Sequence, residues 1–364
     1  MTAIADDTCH MARALQLAGY GLNGTSPNPR VGCVLVREGE VVGEGYHARA
    51  GEPHAEVLAL RVAGPKARGA SAYVTLEPCS HHGRTPPCAD ALIEAGVTRV
   101  VIAVQDPDPR VSGSGISRLR AAGITVETGV LGHESRELNE GFFLRHQRGR
   151  PWLRCKLAMS LDGRTAMASG ESRWITGEAA RHDVQRLRAR SCAVLTGVGT
   201  VRQDDPRLDV REGIPEPIRQ PLRVILDSTL LTAASARILS PPGHVLIACS
   251  RPDSGRRMAL ESAGAECLEI AGSERRVDLA GVLAELARRQ CNEVLLEAGA
   301  TLSGAFASAG LIDEYIVYVA PALLGSRARP MLELPFERME QKLGLRIIDI
   351  TPIGQDWRIR ARSA

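Results

Sequence analysis

Apolar positions in the first third of the chain fall into short runs separated by turn signals. From His10 to Gly19, Met11, Leu15 and Ala18 recur at helical spacing, and Gly19 ends the pattern. A proline-rich loop follows from Thr25 to Arg30 (TSPNPR). Val31–Val36 and Val41–His47 are apolar runs joined by REGE, which predicts a hairpin-like pair of strands. A helix is expected to start near Pro53 or His54, because proline suits a first helical turn. Ala70–Pro78 reads as a strand, Cys88–Ala95 as a helix closed by Gly96, Arg99–Val104 as a buried strand, and SGISRLRAAG as a further helix. That alternation predicts an α/β sandwich with mostly parallel central strands.

The polar, basic run Arg145–Trp152 is broken by Gly149 and Pro151, and a new pattern begins after it. A boundary near residue 150 divides the chain into domains of residues 1–148 and 149–364. The second half has strand-like runs at LRCKLAMS, CAVLTG, PLRVILD, HVLIACS, EVLLEAG and EYIVYVAP. AELARRQ and TLSGAFASAG are its clearest helices. The alternating C-terminal stretch reads as a β-hairpin around Gly354, so this is a second α/β domain with an antiparallel edge. No repeat at a fixed period links the halves.

Length supports this division, since 364 residues correspond to roughly two to three domains. Aromatic residues are only 3% of the chain, so Val, Leu, Ile and Ala must build the cores. A net charge of +3 without a long basic block suggests neither nucleic-acid nor membrane partners. No apolar run reaches transmembrane length, and the acidic N-terminus lacks a signal-like region. Nine scattered cysteines argue against a disulfide framework and for a reducing compartment, so a cytoplasmic location is expected.

Two stretches concentrate chemistry: HAEVLAL from His54 to Leu60, and EPCSHHGRTPPC from Glu77 to Cys88. Hydrolytic deaminases of nitrogen heterocycles bind zinc through one His and two Cys, with a nearby non-ligating Glu as proton carrier. His54, Cys79 and Cys88 supply that donor set and Glu56 the carboxylate. Cys79 and Cys88 stand nine positions apart, wider than the usual two-residue gap, so SHHGRTPP must bulge outward. Positions i and i+2 in mid-helix lie about 200° apart, so His54 and Glu56 converge only if His54 sits at the helix start. A fourth donor from His81 or His82 would instead make a closed structural zinc site. Cys9, Cys33 and Cys155 lack such partners and read as core.

Signals in the second half are softer. Val194–Val201 runs into Gly-x-Gly without the third glycine of a dinucleotide fingerprint. In EVLLEAGATLSGAF a buried strand leads to Gly299 and Gly304 at a helix start, where backbone N–H groups can hold a pyrophosphate. An ordinary strand-to-helix turn explains the same residues.

With HAE, TLEPCSHHGRTPPC, PNPRVGCV, GEGYHARAGEPHAE and KLAMSLDGRTAMASGESRWIT in view, the chain resembles the bifunctional deaminase/reductase family of riboflavin biosynthesis over nearly its whole length. The resemblance implies a cytidine-deaminase-like α/β/α sandwich followed by a dihydrofolate-reductase-like α/β domain, with Zn2+ and NADPH as cofactors. It makes His54, Cys79 and Cys88 the zinc ligands and Glu56 the proton shuttle, with Asn28 and His47 on the substrate. NADPH contacts are implied at Ala158, Trp174, Thr200, Asp204, Ser228, Gly299, Ala300, Thr301, Leu302, Ser303, Gly304 and Ala305. Ser172, Arg188, Leu208, Arg211 and Glu297 match substrate-binding positions, and the two arginines suit a sugar phosphate. Lys156 and Glu297 are the expected polar pair for reduction, with Asp162 a third candidate, and Arg84 in the bulge is a candidate phosphate contact.

The expected partner is a small pyrimidine ribosyl phosphate, and a homo-oligomer is expected. Two other readings stand beside this one. One is a deaminase of another nucleobase with a non-catalytic C-terminal domain; the other is a non-enzymatic protein with structural zinc.

Overall fold

The computed structural model describes residues 2–80, 87–211, 213–214 and 219–363. The chain forms two compact units, which divide between Gly149 and Arg150.

Along the first unit run α1 (Thr2–Gly19), β1 (Gly32–Arg37), β2 (Glu40–Tyr46), α2 (Ala55–Ala63), β3 (Ser71–Val74) and α3 (Cys88–Glu94). After these come β4 (Arg99–Ile102), α4 (Ser114–Ala121), β5 (Thr125–Thr128), α5 (Gly132–Leu138) and α6 (Glu140–Arg148). The sheet order is β2-β1-β3-β4-β5. The β1–β2 hairpin and the β1–β3 pair are antiparallel, whereas β3, β4 and β5 are parallel. Strand alternation gives each sheet face its own core. Leu35, Val74, Val100 and Ile102 pack with Ala59, Leu92 and Leu119 of α2, α3 and α4. Val34, Tyr73 and Val101 pack on the other face with Met11, Ala14 and Leu17 of α1. Close approach depends on small residues: a Cβ on Gly45 would lie 2.4 Å from the Ala55 carbonyl oxygen, so only glycine lets α2 lie against β2.

The second unit contains β6 (Trp152–Ser160), β7 (Arg164–Ala166), α7 (Glu178–Arg190), β8 (Ala193–Gly197), α8 (Val198–Asp204), β9 (Leu222–Leu226) and β10 (Val245–Cys249). It continues through α9 (Ser254–Ser262), β11 (Ala265–Glu269), α10 (Leu279–Arg288), β12 (Glu293–Leu296), α11 (Ala300–Ser308) and β13 (Glu314–Ala320). It ends with β14 (Arg329–Pro330), β15 (Leu345–Ile353) and β16 (Asp356–Ser363). Among the described residues nine strands form one sheet in the order β11-β10-β9-β8-β12-β6-β13-β16-β15, while β7 and β14 pair separately. The strands from β11 to β13 are parallel, and β16 and β15 close the edge antiparallel. Parallel strands buried on both faces explain the near-continuous apolar runs in the sequence.

At the N-terminal ends of β6, β12 and β13, the buried Arg154 bridges Glu314 at 2.6 Å and Glu293 at 2.7 Å. Arg190 and Arg360 join the same two carboxylates. Lone buried charges would be costly, and this pairing satisfies them. Of the residues expected to do chemistry, Glu297 lies just past the C-terminal end of β12 and Lys156 within β6.

Candidate active sites

His54 caps α2 from outside the helix, with extended backbone angles of φ −73° and ψ 163°, and Glu56 lies in the first turn. This resolves the i, i+2 difficulty, because only Glu56 follows helical geometry. Cys88 opens α3, and Cys79 lies in the segment leaving β3. His54 Nδ1 lies 3.2 Å from Cys88 Sγ and 3.7 Å from Cys79 Sγ. The three donor atoms fall within 4.8 Å of one another. Tetrahedral zinc, with Zn–N of about 2.0 Å and Zn–S of about 2.3 Å, sets nitrogen and sulfur about 3.6 Å apart. The donor set and its spacing fit zinc. Among the described residues the cluster comprises these three donors, the set a catalytic zinc site takes from protein.

Glu56 is buried, and burial pushes its carboxyl up to about 6, close to what a proton carrier at neutral pH requires. Beside it, the His47 ring packs edge-on to His54, with centroids 5.2 Å apart. His47 Nδ1 donates to the Pro53 carbonyl at 3.2 Å, which leaves Nε2 to accept from the Asn28 amide at 3.0 Å. Burial holds the His47 pKa down and so favours the neutral ring. Asn28 is thus more than a turn residue between prolines. The predicted bulge contacts, with Arg84, His81 and His82, lie outside the described residues.

A residue overlooked in the sequence fixes Cys79. The buried Glu77 carboxylate accepts the backbone N–H groups of Asp106, Gly113, Gly115 and Ile116 at 2.9–3.2 Å. Its signal was a glutamate just before Pro-Cys at the end of a buried strand. These bonds also explain why β3 stops at Val74, short of Pro78: the next residues turn across the sheet end toward α4.

In the second unit, the register places Glu297 of the β12 end beside Lys156 of β6. Arg188 of α7 grips the Glu297 carboxylate with two bonds of 2.6 and 3.0 Å and donates a third to the Asp209 carbonyl at 3.1 Å. Its fork is therefore committed to Glu297. Arg211 stays half-exposed, 3.7 Å from Asp209. Burial opposes the Glu297 charge, yet Arg188 and Lys156 hold its carboxyl below the ordinary range. Burial pulls the Lys156 ammonium down against the pull of Glu297.

The residues implied for NADPH are Ala158 within β6, Thr200 and Asp204 in α8 after β8, Ser228 just past β9, and Gly299–Ala305 at the cap and first turns of α11 after β12. Gly299 caps α11, and a Cβ there would lie 4.0 Å from Thr200 Oγ1, so α8 and α11 start side by side. Trp174 is exposed, with the Arg181 guanidinium 4.6 Å from its ring centroid, and borders a cavity of about 380 Å³. Ser172 reaches Asp204 at 3.5 Å, and Leu208 is buried. Asp162 accepts the Leu324 and Gly325 N–H groups at 3.1 and 2.8 Å, and so secures a loop.

Two family models match the chain. "RibD C-terminal domain" covers residues 151–359, and "Cytidine and deoxycytidylate deaminase zinc-binding region" covers residues 4–104. The riboflavin biosynthesis protein RibD of Escherichia coli strain K12 is 51% identical over 361 residues, covering 96% of this chain and 97% of that protein. This chain belongs to the RibD family.

Among solved RibD structures, form 2 from Acinetobacter baumannii superposes with a TM-score of 0.92 at 48% identity, covering 100% of both chains. A Thermotoga maritima structure, described as a diaminohydroxyphosphoribosylaminopyrimidine deaminase/5-amino-6-(5-phosphoribosylamino)uracil reductase, gives 0.87 at 32% identity over 99% of both chains. The RibD family sets a deaminase and a reductase domain in one chain and serves riboflavin biosynthesis, with a zinc-binding deaminase half and an NADPH-using reductase half. This membership decides against the reading with a non-catalytic C-terminal domain.

Proposed function

We propose that this RibD-family enzyme deaminates 2,5-diamino-6-(5-phosphoribosylamino)pyrimidin-4-one in residues 1–148 and reduces the product's ribosyl chain to ribityl in residues 149–364. The observation that carries the first step is the three-donor cluster of His54, Cys79 and Cys88 beside the buried Glu56. Bound zinc would activate water at neutral pH. Glu56 would carry both of the water's protons in turn, the first to the ring nitrogen as oxygen bonds the amino-bearing carbon, the second to the amino group as its carbon–nitrogen bond breaks and ammonia leaves. The neutral His47 fixes the Asn28 carboxamide, whose oxygen is then an acceptor for an amino group of the pyrimidine.

For the second step, NADPH would supply hydride to the first carbon of the sugar. Gly299 to Ala305, with Thr200 and Asp204, Ala158, Trp174 and Ser228, hold the cofactor. Lys156 and Glu297 are the polar pair at the reacting carbon. Ser172, Leu208 and Arg211 complete the substrate contacts. With Arg188 occupied by Glu297, the half-exposed Arg211 is the better partner for the phosphate in this resting arrangement. A coupled assay tests the whole reading: the diaminopyrimidine phosphate should release ammonia and then oxidise NADPH, and a zinc chelator should stop both. Ammonia release that persists without zinc would refute the first step, and no NADPH oxidation from supplied deaminated product would refute the second.

Two coarser expectations extend this reading. All nine cysteines are free thiols, which suits the cytoplasm, and no helix among the described residues is long and apolar enough to cross a membrane. The edge strand of the terminal hairpin leaves Leu345, Ile347 and Ile350 about half exposed, which supports a homo-oligomer through this edge. Ile347→Lys should then lower the mass measured by light scattering, and an unchanged mass would remove the hairpin as an interface.

A further inference from the structure

Across the sheet of the second unit, one row of side chains faces α7. Ile316 of β13 pairs with Lys156, and Thr196 of β8 pairs with Ile225 of β9. Between them, the β12 register runs through Leu296, opposite Cys155 on one side and Leu195 on the other. The Glu297 N–H continues that ladder by donating to the Leu195 carbonyl at 2.9 Å. One residue further, Glu297 falls between Lys156 and Thr196. The row thus reads Ile316, Lys156, Glu297, Thr196, Ile225, three polar groups framed by isoleucines.

Thr196 is the anomaly in it. It is 0% exposed, and its hydroxyl oxygen has no hydrogen-bond partner among the described residues. Valine has almost the same shape without the hydroxyl, and the preceding residues of β8 are Ala193, Val194 and Leu195. A buried hydroxyl without a partner costs stability, so its presence calls for a use in another state of the site. Its neighbour offers one. The Glu297 carboxylate can accept about four hydrogen bonds, and Arg188 supplies two. Adjacent strands lie about 4.8 Å apart, so side-chain rotation alone can bring the Thr196 hydroxyl onto that carboxylate.

We propose that Thr196 is a positioning residue for the reduction: when an anionic or hydroxylated sugar draws Arg188 away, the Thr196 hydroxyl becomes the donor that keeps Glu297 beside Lys156. This rests on Lys156, Glu297 and Arg188 being the reductive site. Without the hydroxyl, a buried carboxylate released by Arg188 would lose its anchor as the sugar arrives. In the resting protein the hydroxyl contributes nothing.

Thr196→Val and Thr196→Ser in the full chain test the idea. The readouts are reduction of supplied deaminated intermediate, NADPH affinity by fluorescence titration, and thermal midpoint. Thr196→Val should melt no lower than wild type and keep its NADPH affinity and deaminase rate. Its kcat/KM for reduction should fall about tenfold or more, the scale of a hydrogen bond to a charged group. Thr196→Ser, which keeps the hydroxyl, should recover most of that loss. Wild-type kcat/KM in Thr196→Val, or an equal loss in both variants, would overturn the proposal. Glu297→Gln separates the layers. If it reduces at the wild-type rate, the site itself is misplaced; if it is slow while Thr196→Val is not, only the role of Thr196 falls.

Discussion

Glu56 owes its position to one backbone choice, the extended conformation of His54 at the helix boundary. Because the carboxylate is not one of the three donors, removing its charge should leave metal binding intact. Glu56→Gln is expected to keep its zinc by metal analysis and lose deamination by about 10²- to 10⁴-fold. Full activity in that variant would refute the proton-carrier role. A second carboxyl sets a stability trend. Burial raises Asp106 to about 7, so the folded protein holds this proton more tightly than the unfolded chain, whose carboxyl titrates near 3.8. Its stabilising contribution is complete below about pH 4 and is lost as pH rises through 7. Asp106→Asn keeps the Oδ1 acceptor for the Asp108 N–H and drops the charge. It should melt about 2–4 °C above wild type at pH 8 for each kcal/mol relieved, and converge with it near pH 4. At this scale, metal-ligand chemistry was legible in the sequence because residue type and spacing encode it. Glu77 and Thr196 were not, because their significance lies in partners 29 or more residues away, or in having no partner among the described residues.

Elements with strong apolar patterns were legible too: the β1–β2 hairpin, α2, α3, α4, the buried strands of the second unit and the terminal hairpin all follow the sequence pattern. Polar or very short pieces escaped it. β5 is TVET and mostly exposed, and β7 and β14 have three and two residues, so neither offers a hydrophobic period. The α4 start matters most for chemistry, because Glu77 ties it to the Cys79 segment. A Cβ on Gly115 would lie 2.0 Å from the Pro78 carbonyl oxygen, which leaves no room for alanine without moving one of the two. Gly115→Ala should cost about 1–3 kcal/mol of stability. By displacing Cys79 it should also weaken zinc binding about 10- to 100-fold in chelator competition. Wild-type zinc affinity would mean that α4 does not position the ligand.

For the whole molecule, the chemistry divides as the contacts do. Each unit has its own sheet and its own apolar clusters, with the zinc donors and Glu56 in the first and Lys156, Glu297 and Arg188 in the second. Cys88 is buried at the start of α3, so serine there removes a soft sulfur donor with little change in shape. Cys88→Ser should therefore lose zinc and deamination, while NADPH oxidation with separately supplied deaminated intermediate continues within about twofold of wild type, as expected for sites that share no partners. Starting from the diaminopyrimidine, the same variant should oxidise no NADPH, because the second unit then receives no substrate. If Cys88→Ser abolished reduction of the supplied intermediate while the chain remained folded by circular dichroism, the two sites would have to be coupled through the protein. Retained reduction would mean that the order of the two steps is imposed by the substrate's chemistry alone.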